Sequence, residues 1–328
     1  MNATKLADLL RSSIKHRRPL LIKGAPGIGK SDLVAQVCDE VKADLLLMHP
    51  AISDPVDYKG MPAILPDGTA HFLPFGDLTK LCAAQSLTVG CFEEMGQAPP
   101  SVQAALLHVV LARTVNGHKI SDHVVFIGCT NDTMHLAGVS GLIEPMKSRW
   151  TIVQLDVSLE DWSVWALDKG MPSELVAFIR FRPSLLSDFK PTKALTNSPS
   201  PRGWASVGNW LEAGVKDLEV FSGAVGEGAA TEFYAFLDLY QQLPSLDAIL
   251  LDPTGSPVPD KPAGLFAVSA GLARKATAAN LERANRYMER LPTEFNVSFM
   301  RDAVRLNKSV TNCPAFVAWA TKHSDVLL

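Results

Sequence analysis

The residues with the clearest chemistry in this 328-residue chain lie at positions 20–31, Leu-Leu-Ile-Lys-Gly-Ala-Pro-Gly-Ile-Gly-Lys-Ser. The spacing Gly-x-x-x-x-Gly-Lys-Ser is that of a phosphate-binding loop. Gly24, Gly27 and Gly29 free the backbone to turn consecutive amides inward at an anion. A helix beginning near Lys30 adds its positive end. Lys30 brings a full charge to the β- and γ-phosphates, and the Ser31 hydroxyl can ligate a Mg²⁺ that bridges them. A mere flexible turn is the alternative. The apolar strand before the loop and the amphipathic run from Asp32 to Cys38 after it favour the phosphate reading.

A second group of candidates sits at the ends of apolar strands. The run 87–92 ends in Glu93 and Glu94. Ligands in open α/β sheets sit at the carboxyl ends of strands. Phosphoryl transfer needs one acidic group near the Mg²⁺ shell and another to position the attacking water. Neighbouring strand residues point to opposite sides, so Glu93 and Glu94 are expected to take different roles. The strand 123–131 ends in Thr130 and Asn131, either of which can reach a γ-phosphate or the water; alternatively Asn131 only caps the next turn. Arg149, before the strand 151–155, suits a cation lent to a neighbouring subunit's nucleotide, or is a plain surface arginine. Arg202, at a helix start with proline in its first turn, can bend back to the phosphates across a domain cleft, or is a solvated helix end.

The elements that must position these groups follow from patterning. Residues 43–49 read as a second strand. Two short apolar arms around Asp67-Gly68 predict a hairpin at 63–72, and Asn116-Gly117 predicts another at 113–120. The first is an insertion between a strand and its following helix, so it is expected either to touch a partner or to be a decorative surface loop. From residue 159 onward the chain reads as helical, at 160–169, 172–180, 202–211, 228–242, 264–291 and 299–307, with Pro- and Gly-rich linkers at 191–201 and 252–262. The division expected is an α/β nucleotide-binding domain at 1–155, a helical lid at 156–247 and a helical extension at 248–328.

Composition bounds the function. Apolar residues make up 47 % and charged residues 20 %, which is globular rather than disordered. A net charge of −3 argues against a general nucleic-acid or anionic-membrane binder. Lys15-His16-Arg17-Arg18 is a basic cluster before a buried strand, read as a solvated helix end. Five cysteines without a CxxC pair fit reduced core thiols in a cytoplasmic protein, and zinc is not expected. No signal peptide and no membrane span are expected.

On these motifs the chain resembles the AAA+ ATPases, and within them the MoxR-like branch, over roughly residues 1–250. Gly24–Ser31 matches Walker A, and the stretch from Phe92 through Glu93, Glu94 and Gln97 to Pro99 looks like Walker B. There the usual order is Asp-Glu followed by Asn-Arg-Ala or similar, so Glu93 replaces the aspartate and Gln97 stands where arginine is common. The resemblance implies ATP and Mg²⁺ as cofactors. Gly24, Ala25, Pro26, Gly27, Ile28, Gly29, Lys30, Ser31 and Asp32 would hold the nucleotide, and Ser31 and Glu93 the metal. Glu94 would orient the water, with Asn131 as first sensor, Arg149 as arginine finger and Arg202 as second sensor. The 63–72 hairpin is similar to the family's helix-2 insert, 113–120 to its pre-sensor hairpin, and 223–244 to its last lid helix. The implied fold is a P-loop NTPase parallel sheet flanked by helices (the AAA+ core) with an all-α C-terminal lid and helical tail.

The implied assembly is a homo-hexameric ring with ATP between protomers. Its expected role is chaperone-like remodelling of a protein client, in some members alongside a partner carrying a von Willebrand factor A domain. A nucleic-acid motor, such as a helicase loader or transposition helper, shares this core but calls for a basic pore lining; the inserted hairpin carries Asp67 and His71 instead. A nucleotide-gated scaffold that does not hydrolyse ATP is the third reading, and the irregular Glu93 is its one hint.

Overall fold

The computed structural model describes residues 1–131, 141–192 and 194–324; the last four residues of the predicted 248–328 extension lie outside them. The chain forms two compact units, one of Met1–Ser158 with Phe189–Pro191, the other of Leu159–Asp188 with Thr192–Leu328. In the first unit the elements run α1 (Ala3–His16), β1 (Leu20–Gly24), α2 (Lys30–Val41), β2 (Asp44–Met48), α3 (Val56–Lys59), β3 (Met61–Ile64), β4 (Ala70–Leu73) and α4 (Asp77–Ala83). They continue as β5 (Thr88–Phe92), α5 (Pro100–Leu107), β6 (Thr114–Val115), β7 (His118–Lys119), β8 (Val124–Asn131), α6 (Glu144–Lys147) and β9 (Thr151–Gln154). The second unit holds α7 (Leu159–Asp168), α8 (Ser173–Phe181), α9 (Pro201–Glu212), α10 (Leu218–Val225) and α11 (Glu227–Gln241). It ends with α12 (Leu246–Leu251), α13 (Pro262–Lys275), α14 (Leu281–Met288), α15 (Thr293–Leu306) and α16 (Pro314–Lys322).

A five-stranded sheet in the order β2-β5-β8-β1-β9, with every pairing parallel, organises the first unit. Its inner strands β5 and β8 are near-continuous apolar runs because both faces are covered. Alternation sends Leu20 and Ile22 of β1 to one face, where Leu6, Leu10 and Ile14 of α1 and Val34 and Val37 of α2 pack on them. Leu21 faces the opposite layer with Phe92, Phe126, Leu106 and Trp150. There Phe92 stacks on Phe126 at 5.4 Å and meets Trp150 edge-on. This is the expected parallel sheet flanked by helices, followed by the expected helical C-terminal part.

Both hairpins are present. Asn116 and Gly117 turn between β6 and β7 with φ of 45° and 91°, the positive pair that a two-residue hairpin turn requires. The inserted hairpin pairs Met61 with Leu73 through to Ile64 with Ala70, reaching a little beyond the predicted 63–72. The basic cluster ends a helix as read: α1 stops at His16, and Arg17 adopts the left-handed cap conformation.

In the second unit Phe178 sits at the centre of the core, with the rings of Trp204, Phe233 and Phe236 5.0–5.5 Å away. The helix read at 264–291 is two helices. Asn280 breaks it: its Oδ1 accepts from Thr277 N–H at 2.8 Å, and its Nδ2 donates to the Lys275 carbonyl at 3.0 Å. Asparagine competes in this way with helical main-chain bonding. The last predicted helix starts earlier, at Thr293, and α10, α12 and α16 were not expected at all.

α8 and α15 are joined by a buried ion pair. Arg180 binds both oxygens of Asp302, Nη2 donating to Oδ1 at 3.0 Å, and the Asp302 side chain is 8 % exposed. Removing one member of such a pair strands the other charge in the core. Asp302→Ala is therefore expected to cost about 3 kcal/mol of unfolding free energy in urea titration. The double replacement Arg180→Met, Asp302→Leu should recover part of that loss. A single variant within 0.5 kcal/mol of the parent, roughly the scatter of surface substitutions, would show that this pair does not hold α8 to α15.

Candidate active site

The candidate residues of the first unit other than Arg149 gather at the end of the sheet where the strands finish. Register fixes this: Gly24, the last residue of β1, pairs with Asn131, the last of β8, while Phe92, the last of β5, pairs with Gly128. Strand β8 lies between β1 and β5, so the glycine loop leaves on one side of Asn131 and the two glutamates follow Phe92 on the other.

Only glycine suits two of the loop positions. A Cβ on Gly24 would lie 2.6 Å from Ile28 Cδ1 and 2.8 Å from the Leu155 carbonyl oxygen. Gly29 caps the start of α2 with φ of 90°, a conformation that side chains resist. The helix that follows, twelve residues long, points its free amides and positive dipole end at the loop. Lys30, in its first turn, folds back across the loop. Its ammonium donates to the carbonyls of Gly24 at 3.1 Å and Ala25 at 2.8 Å, and to Asn131 Oδ1 at 2.9 Å. A cation, the loop and the end of β8 are thus fastened by charge-assisted hydrogen bonds. Ser31 is half-buried beside Lys30, and Asp32 is exposed on the next position of α2.

The two glutamates differ, though not by strand alternation. Strand β5 stops at Phe92. Glu93 takes its main-chain bond from β2, donating its N–H to the Met48 carbonyl at 2.8 Å, and its side chain is 19 % exposed. Glu94 has turned into the left-handed region, with φ 53° and ψ 33°, and its side chain faces solvent. Non-glycine residues held there carry strain of the kind that collects at functional sites. Thr130 anchors the segment that follows: its Oγ1 accepts from Gly96 N–H at 3.1 Å.

Two arginines stand elsewhere. Arg149 is exposed just before Thr151, the β9 residue paired with Leu20 at the far end of β1. Four strand steps at about 3.3 Å each put that end about 13 Å along the sheet from Gly24. Arg202 is exposed in the first turn of α9 in the second unit, where Ser200 caps the helix by accepting from Gly203 N–H.

One contact went unforeseen. His49, the first residue past β2, lies beside Glu93, with Nδ1 3.3 Å from Oε2. A histidine directly after an apolar strand, aligned in sequence with a neighbouring strand that ends in glutamate, was the available signal. Beneath the loop the thiols are passive. Burial pushes the Cys38 thiol up to about 11, and hydrogen bonding to Cys129, followed by burial, holds Cys91 well above the usual thiol range.

The donor set fits a magnesium–nucleotide. A lysine folds across the glycine loop, with a serine hydroxyl next to that lysine and a half-buried carboxylate on the same sheet edge. Hard oxygen donors, few in number and completed by phosphate and water, are what magnesium takes. No helix among the described residues is long and apolar enough to cross a membrane.

No protein-family model matches the chain, and no curated protein matches it. Among solved structures, the Thermotoga maritima RuvB Holliday junction branch migration motor is similar at 15 % identity, covering 88 % of this chain and 86 % of that one, with a TM-score of 0.40. A mutant of the same RuvB gives 15 % identity, the same coverage and a TM-score of 0.43. NtrX from Brucella abortus gives 13 % identity over 90 % of this chain and 67 % of that one, with a TM-score of 0.36. At these identities and scores none of them speaks to what this chain does.

Proposed function

We propose that this chain is a magnesium-dependent ATP hydrolase of the AAA+ kind, MoxR-like in its branch, working as a homo-hexameric ring that remodels a protein client. The observation that carries this is Lys30, whose ammonium ties the glycine loop to Asn131 on the sheet edge where Glu93 and Glu94 follow β5. The loop amides and Lys30 grip the phosphates, and Asn131 faces the γ-phosphate or its attacking water. Ser31 and Glu93 would hold the magnesium, which would supply positive charge to offset that of the phosphates. Glu94 orients the water. Arg202 is the second sensor that the resemblance implies.

Arg149 serves the neighbouring protomer in this reading, in keeping with its place at the far end of the sheet from its own loop. Arg149→Ala is then expected to lower turnover by about 10³-fold. The same variant mixed with Lys30→Ala, which lacks its own site but still offers Arg149, should regain turnover that neither shows alone. Mixtures as silent as their components would assign Arg149 no role in trans.

The inserted hairpin favours a polypeptide over a nucleic acid as client. One of its faces carries Pro62, Ile64, Ala70 and Phe72, all exposed, with Ile64 82 % accessible. No lysine or arginine occurs from Met61 to Leu73. Exposed apolar patches mark protein contacts, whereas a phosphate backbone calls for cations. Of the partners the resemblance implies, a von Willebrand factor A domain protein is the one to test first.

A further inference from the structure

We propose that His49 is a positioning residue for Glu93, holding the metal-site carboxylate so that it presents one oxygen to magnesium. The inference rests on the reading of Glu93 as a magnesium ligand. A glutamate carboxylate swings on three side-chain torsions, one more than an aspartate, so a glutamate in this role gains from a lateral anchor. Parallel register supplies one. Met48 pairs with Phe92, so the next residues outward, His49 and Glu93, leave the sheet side by side. The Glu93 N–H is already fixed to the Met48 carbonyl, and His49 Nδ1 reaches Oε2 at 3.3 Å. Oε1 is then the oxygen offered to the metal. The contact is at ion-pair distance, and partners that orient a metal ligand typically change metal affinity or activity by 10–100-fold when lost.

The backbone of His49 is itself fastened. Its carbonyl accepts from the N–H of Ile52 at 3.1 Å and from the Ser53 hydroxyl at 2.9 Å. That hydroxyl lies 3.2 Å from the phenol oxygen of buried Tyr58, whose ring packs edge-on against Phe92. The chain of contacts begins at the residue before Glu93 and returns to Glu93 through His49. The contact is with the first glutamate; His49 is not placed against the solvent-facing Glu94.

The test measures two quantities on the full chain: the free Mg²⁺ giving half-maximal binding of a fluorescent non-hydrolysable ATP analogue, and the affinity for that analogue in EDTA. His49→Ala should raise the Mg²⁺ requirement about tenfold and leave the EDTA affinity unchanged. His49→Asn, whose amide nitrogen stands in for Nδ1, should stay within about threefold of the parent, since it keeps the donor. In a Glu93→Asp background, with a shorter carboxylate, His49→Ala should change the requirement by less than about threefold, because coupled residues do not add. An equal cost in both backgrounds, an unmoved Mg²⁺ requirement, or a loss confined to EDTA affinity would each overturn the anchor role. Binding that ignores Mg²⁺ in the parent protein would instead overturn the metal reading of Glu93, and this proposal with it.

Discussion

Glu94→Gln is expected to bind ATP as tightly as the parent and to hydrolyse it about 10²–10⁴-fold more slowly, the range that a positioned general base contributes. The substitution keeps the shape of the side chain and removes its capacity to accept a proton. The fold has little reason to object, because the side chain faces solvent and the left-handed backbone at this position is no worse for glutamine than for glutamate. Single-turnover phosphate release separates chemistry from binding. Glu94→Gly provides a control. It relieves the positive φ, so it should be at least as stable as the parent while equally slow. Turnover close to that of the parent in Glu94→Gln would remove this residue from the mechanism.

Lys30→Ala is expected to weaken nucleotide binding by 10²-fold or more. A lysine bound to phosphate contributes charge-assisted hydrogen bonds worth roughly 1.5–3 kcal/mol each, and two of them account for a loss of that size. The folded chain also loses the three hydrogen bonds of the ammonium to Gly24, Ala25 and Asn131. Ala25 and Asn131 are half-buried groups that water can satisfy, whereas Gly24 is buried, so the expected stability loss is that of one buried acceptor, about 1–3 kcal/mol. Lys30→Arg is the informative companion, since a planar guanidinium cannot replace a compact ammonium folded into a tight loop. Calorimetric titration with the non-hydrolysable analogue reads the effect directly. Unchanged affinity in Lys30→Ala would detach the glycine loop from phosphate.

What could be read in the sequence was local. The strand–loop–helix at 20–41 is fixed by glycine spacing, a single apolar run and a lysine in the first turn of a helix, and all of it is present. The two hairpins were readable because Asp67-Gly68 and Asn116-Gly117 dictate their own turns. Strand order was not readable. That β8 separates β1 from β5, and so places Asn131 between the loop and the glutamates, depends on pairing across more than a hundred residues. The same limit hid His49, whose partner lies on a neighbouring strand. The two glutamates differ in surroundings as expected, but not by strand alternation, because β5 ends at Phe92 and Glu94 turns left-handed. In the second unit, apolar periodicity ran straight through Thr277–Asn280, and a side-chain cap outweighed it.

Lys30, Glu93 and Glu94 are proposed to act together in magnesium-dependent ATP hydrolysis. The most direct test is steady-state phosphate release by the purified protein, with ATP and Mg²⁺ against ATP and EDTA, beside the Glu94→Gln variant. The parent should turn over ATP, and turnover should stop with EDTA and with Glu94→Gln. A parent protein that releases no phosphate with ATP and Mg²⁺ at any protein concentration, or one that releases it equally in EDTA, would contradict this assignment.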